Sequence, residues 1–116
     1  QGVGLFIVVA NSEAKAKEIA TRAYKKWHAS FHYLYHLHGR SPVWGERPAE
    51  FSLVESEVRG IASTPDVVRE FVKKRVAESG ANYVTGQFHF GDMTREEALS
   101  SVELFGKEVL PALKTL

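Results

Sequence analysis

Val3–Ala10 reads VGLFIVVA, and Asn11-Ser12-Glu13 follows directly. A nearly continuous apolar run rich in Val, Ile and Phe marks a strand buried on both faces, as strands of parallel sheets are. The Asn-Ser-Glu stretch then supplies N-cap side chains and an acid for the positive end of a helix. Ala16, Ile19, Ala20, Ala23, Tyr24, Trp27, Phe31, Leu34 and Tyr35 recur at three- and four-residue steps, so one long helix carries an apolar stripe until Gly39 ends it. Strand, short cap and amphipathic helix open a βαβ unit.

Outward from that unit the periodicity stops. Between Arg40 and Ser63, Pro42, Gly45 and Pro48 interrupt regular structure while Val43, Trp44, Phe51, Leu53 and Val54 stay apolar. A loop of this length in a small domain is more often functional or mobile than a plain connector. Thr64-Pro65-Asp66 restarts a helix with an N-cap, a proline at the first position and an acid in the first turn; Val67, Val68, Phe71, Val72, Val76 and Ala77 form its stripe and Gly80 its stop. Asn82–Phe90 (NYVTGQFHF) reads as a second strand, and Thr94 with Glu97 spells a capping box for a last helix that Pro111 kinks. The predicted order is β, long α, irregular loop, α, β, α in one domain. Residues 1–39 hold the strand and long helix, 40–63 the loop, and 64–116 the helix-strand-helix. Helices between strands predict α/β architecture with right-handed parallel crossovers.

Composition narrows the function classes. The chain has 116 residues, 44% hydrophobic and 25% charged, with a net charge of +1. That size buries roughly two-thirds of the unfolded surface, so no metal or disulfide staple is required. It falls short of a closed eightfold β/α barrel by about half or more. A near-neutral charge provides no basic field for nucleic acid. Absence of cysteine removes disulfides, thiolate metal sites and cysteine nucleophiles, and suits a cytoplasmic setting. The longest apolar run, Leu5–Ala10, is too short to span a membrane, and no basic segment precedes it as in a signal peptide. A start at Gln1, running almost at once into a strand, looks cut.

Three constellations could carry chemistry. His28, His32 and His36 stack at four-residue spacing, with His38 beside them. Two imidazoles so spaced can share a zinc ion, but no acid lies within the cluster, and a polar-side, structural role is preferred; no metal site is assigned. Gln87, Phe88, His89 and Phe90 lie at the C-terminal end of the second strand, the edge where α/β folds bind ligands. In an extended strand Gln87 and His89 share one face and Phe88 and Phe90 the other, so one pair could face a cofactor; a plain strand end closed by Gly91-Asp92 is the alternative. Arg40, Trp44, Arg47 and Phe51 could form a lid or anion clamp, or merely a solvated loop. No phosphate loop, dinucleotide fingerprint or nucleophile elbow occurs, and no catalytic residue is nominated.

Ser63–Val68 (STPDVV), Ser79-Gly80-Ala81, Phe88–Gly91 (FHFG) and Glu108–Leu113 (EVLPAL) together resemble the C-terminal end of the luciferase-like flavin-dependent monooxygenases. That family shows a Thr/Ser-Pro-x-x-Val helix opening, a Gly turn into the last barrel strand, a Phe-x-Phe-Gly-like strand end, and a helix finishing in Glu-x-x-Pro-x-Leu. The run GVGLFIVVA with its helix looks like the family's seventh strand and helix. Ile61-Ala62-Ser63-Thr64-Pro65 departs from the pattern, since the family more often has Gly just before Thr/Ser-Pro. The resemblance implies a partial (β/α) barrel made of the last two strand-helix units of a TIM-barrel-like fold. It also implies reduced FMN or a deazaflavin as cofactor, with Gln87, Phe88, His89 and Phe90 at the barrel mouth. Such a portion would be inactive alone, since the first six units hold most flavin and catalytic residues in that family, and flavin titration would show whether it binds a cofactor by itself.

Two strands and three helices would leave both sheet edges open and the strands' inner face uncovered. The expected partner is therefore a second copy of the chain or a missing N-terminal barrel segment. A stand-alone small-ligand-binding or oligomerising domain without catalysis is the alternative function.

Overall fold

β1 (Gly2–Val9) is the middle strand of a three-stranded parallel sheet, and the rest of the chain covers its two faces. The computed structural model describes all 116 residues. After β1 come α1 (Glu13–Leu37), α2 (Phe51–Ser56), β2 (Gly60–Ser63), α3 (Pro65–Ser79), β3 (Tyr83–Gln87) and α4 (Arg95–Leu104). A π-helical turn (Phe105–Val109) and α5 (Leu110–Leu113) end the chain. β2 pairs with β1 from Phe6↔Gly60 to Val9↔Ser63, and β3 pairs with its other edge from Gly2↔Tyr83 to Phe6↔Gln87.

The order β2-β1-β3 sends the first crossover one way along the sheet and the second back over β1. If both are right-handed, their helices must lie on opposite faces. Two separate cores result. Val8 packs with Ala16, Ile19, Ala20, Ala23 and Tyr24 of α1, with Phe51 and Val54 of α2, and with Phe90 and Met93. Leu5, Ile7 and Val9, on the opposite pleat, pack with Val68 and Val72 of α3 and with Val109.

This topology corrects the expected partial (β/α) barrel. In such a barrel consecutive strands are neighbours and the helices share one outer layer. Here β2 and β3 never meet, and helices pack on both faces of β1, so the C-terminal half of that strand is buried on both sides while Gly4, Thr85 and Gln87 stay exposed. The architecture is a compact α/β domain on a three-stranded parallel sheet. Residues 40–63 are also not wholly irregular, since they hold α2 and β2. β2 is a four-residue edge of Gly, Ile, Ala and Ser with little strand propensity of its own, and its pairing with β1 makes it a strand.

The helix ends follow local chemistry. Ser12 Oγ accepts the Lys15 N–H at 3.2 Å, and Thr94 with Glu97 forms the reciprocal capping box of α4. Thr64 occupies the N-cap of α3 without a side-chain hydrogen bond, and the α3 start relies on Pro65 at the first turn. Pro111 lacks an N–H and its ring crowds the carbonyl four residues back, and the widened π turn sits immediately before it. No helix is long and apolar enough to cross a membrane.

One polar contact ties α4 to the sheet. The buried Ser101 hydroxyl oxygen accepts the Val9 N–H at 2.9 Å, where β1 ends. Ser101→Ala leaves that donor buried and unpaired, and should cost about 1–3 kcal/mol in urea denaturation. Beside it, Arg22 of α1 pairs with Asp92 at 3.1 Å and with Glu97. Desolvation pushes the Glu97 carboxyl up, but the Thr94 N–H and Arg22 outweigh it and hold the group below its ordinary value. A depressed folded-state value stabilises the fold above the ordinary carboxylate range and is lost on acidification. Glu97→Gln should therefore flatten the acid limb of the stability profile measured by denaturation from pH 7 to pH 3.

Candidate functional site

A cleft of about 600 Å³ opens between the distal half of α1, the segment around Arg47 and the uncovered side of β1 and β3. Its geometry starts from α1. Tyr24, Trp27 and Phe31 follow the helical repeat, so their rings form one row: Tyr24 stacks on Trp27 at 5.3 Å and Trp27 on Phe31 at 4.9 Å. Phe6 of β1 meets Tyr24 and Trp27 edge-on at 5.5 and 5.0 Å and closes the floor. The row leaves the core as α1 runs out past the sheet, so Tyr24 is 1% exposed while Trp27 and Phe31 are half-buried.

The polar groups are few and of one charge. Arg47 lies over the Phe31 ring, its guanidinium 5.2 Å from the centroid, and Arg59 stands at the rim paired with Glu57 at 3.1 Å. Thr85 and Gln87 of β3 complete the wall, and no Asp or Glu lines the cleft. A flat aromatic surface, two guanidiniums and an amide make a site for a planar ring bearing an acceptor or anionic group.

Tyr24 is structural here. Its hydroxyl donates to the Pro48 carbonyl at 2.6 Å, and burial pushes the phenol up to about 12, with Arg59 and Arg47 pulling weakly the other way. A raised folded-state value means that this stabilisation is complete below the ordinary tyrosine value near 10 and lost as pH rises through about 12. Tyr24→Phe should cost about 1 kcal/mol and remove the late step from an alkaline absorbance titration.

The residues nominated from sequence are dispersed. Gln87, the last residue of β3, pairs in register with Phe6 and lines the cleft. The strand stops there rather than continuing to Phe90, so the strict alternation expected beyond it fails. Phe88 turns to the α3 side and meets Phe105 edge-on at 5.0 Å, whereas Phe90 enters the α1-side core against Phe6 at 5.1 Å. His89 binds the Met93 carbonyl at 3.0 Å through Nε2, in the turn after the strand. Arg40 lies with Phe31, Leu34 and Tyr35 on another side of α1, and Trp44 is 91% exposed with φ 72° and covers no ring. Of the suggested clamp only Arg47 reaches the cleft; Phe51 is buried at the start of α2.

Sequence inspection missed Phe6, Trp27, Phe31 and Arg59. The aromatic spacing was visible, but a stripe of this kind reads the same whether it meets a core or a cleft. No group of three or more His, Cys, Asp or Glu side chains is arranged to hold a metal ion.

Fold and cleft define a compact α/β unit on a three-stranded parallel sheet with an aromatic-lined cleft at one side. No protein-family model matches the chain. Its fold resembles that of monooxygenase RslO1 from Streptomyces bottropensis, with a TM-score of 0.77 and 18% identity over 97% of this chain and 30% of that one. In sequence it is 33% identical over 110 residues to the uncharacterized protein y4wF of Sinorhizobium fredii, covering 94% of this chain and 32% of that protein. The chain thus spans about a third of the length of each of these proteins.

Proposed function

We propose that this domain serves a flavin-dependent oxidoreductase of the luciferase-like monooxygenase kind, and that the cleft on α1 receives the flavin-type ring or a planar substrate. The cleft carries this reading: an aromatic row beside two arginines and an amide, with no acid among them. The sequence resemblance after Ser63 and the monooxygenase fold likeness support it. A flavin fits the donor set, because its ring system is flat and apolar on its faces, polar along one edge, and carries an anionic tail. Reduced FMN or a deazaflavin would supply the electrons of an oxidation.

The residues of this chain bind and orient. Trp27 and Phe31 offer the ring a face, Gln87 hydrogen-bonds its polar edge, and Arg47 neutralises the anion, with Arg59 already paired to Glu57 at the rim. The Trp27 and Phe6 rings keep water from the buried side of the ring.

Oxidised FMN is the probe. Binding is expected to quench flavin fluorescence through contact with Trp27, and Arg47→Ala should weaken it about tenfold, the worth of one charge-assisted hydrogen bond. If FMN quenches no more in the presence of the chain than in buffer, or binds Arg47→Ala equally well, the assignment fails.

A further inference from the structure

Three histidines that the ring-binding wall does not use hydrogen-bond the segment that carries Arg47. His28, His32 and His36 project from one face of α1 with ring centroids 4.1 and 5.3 Å apart, and each holds the segment that carries Arg47. His28 Nε2–H donates to the Arg47 carbonyl at 3.2 Å. The Arg47 N–H donates to His32 Nε2 at 3.1 Å, while His32 Nδ1–H donates to the His28 carbonyl at 2.8 Å. His36 Nε2–H donates to the Glu46 carboxylate at 3.0 Å, which holds that carboxyl below its ordinary value.

His32 is 1% exposed, and its Nε2 faces two partners that make opposite demands. The Arg47 N–H needs a lone pair there, whereas a Glu46 carboxylate oxygen, 3.0 Å from the same nitrogen, needs a proton. A neutral ring satisfies the amide and turns a lone pair on the carboxylate; a protonated ring satisfies the carboxylate and leaves the amide without its acceptor. The ionisable neighbours around the ring are His28, His36 and Tyr33 on α1 and Glu46 and Arg47 on the facing segment.

We propose that the His28–His32–His36 column is a positioning device that seats Arg47 over the cleft and unseats it when His32 takes up a proton, so that anion binding in the cleft is gated by pH. The gating rests on the ring-binding reading of the cleft; the seating of Arg47 does not.

The test follows the Arg47 amide and the His32 ring nitrogens by NMR from pH 8 to pH 5, where imidazoles titrate. The amide should be exchange-protected at pH 8 and lose protection as the His32 ring protonates. In His32→Gln, whose side-chain carbonyl can accept the same N–H without titrating, protection should persist. Glu46→Gln removes the group that rewards protonation and should move the transition to lower pH, which keeps the test decisive if His32→Gln does not fold. Protection that ignores the state of His32, or a transition unmoved in Glu46→Gln, overturns the proposal. In parallel, FMN affinity should fall at least about tenfold more for the natural chain than for His32→Gln over this range. The phosphate's own titration near pH 6 is common to both proteins and cancels in that ratio. If the amide tracks the ring but FMN binds at no pH, the seating stands and the cleft's ligand assignment fails.

Discussion

Gly91→Ala is expected to destabilise the domain by about 2–5 kcal/mol, enough to leave it largely unfolded if its stability is typical of a small domain. Gly91 has φ 61°, where an L side chain is strained, and a Cβ built on it would overlap the carbonyl oxygen of Ala23. Ala23 lies in the middle of α1, with its backbone committed to the helix and its side chain buried, so it cannot withdraw. Gly80 is the control: it has φ 67° but open space around the same atom, and Gly80→Ala should cost about 1–2 kcal/mol from backbone strain alone. Urea midpoints of the two variants separate strain from collision. Equal midpoints would show that the Phe90–Asp92 turn does not rest on α1.

Phe90→Ala is the second large effect, with an expected loss of about 3–5 kcal/mol. The Phe90 ring stands edge-on to Phe6 and parallel to Phe51 at 6.4 Å, inside the core shared by α1 and α2. Phe90→Leu, which keeps most of the volume, should lose less than about 1.5 kcal/mol. A residue at a cofactor mouth would behave differently, with FMN affinity falling while stability held. FMN titration of the folded Phe90→Leu variant should therefore give nearly the natural affinity, and a large loss of binding at unchanged stability would return Phe90 to the site.

The legible and illegible parts of this fold divide along a physical line. β1, α1, α3 and α4 could be read because each repeats its apolar side chains at the period of its own backbone and carries its own caps, as at Ser12, Pro65 and Thr94. β2 could not, because Gly60–Ser63 has no such pattern and gains its hydrogen bonds from β1. With β2 missing, the strand order was out of reach, and nothing local opposed the barrel that the family resemblance implied. Gln87 lines the cleft because it ends β3 in register with Phe6, a position that the strand's C-terminal end makes legible in sequence. Phe88 and Phe90 were misplaced because alternation holds only while the backbone stays extended, and β3 ends at Gln87.

By itself the sequence determined α1, α3 and α4, the strand that opens the chain, the parallel α/β class and the absence of cysteine chemistry, since these depend on local propensity, capping and composition. Only the tertiary structure decided which strand lies in the middle, that helices cover both faces, and that the outer half of the α1 stripe lines a cleft instead of a core. Those outcomes depend on contacts between residues far apart in the chain. Tyr24, Trp27 and Phe31 carry the same spacing whether β3 covers them or leaves them open, and no local pattern records which neighbour arrives.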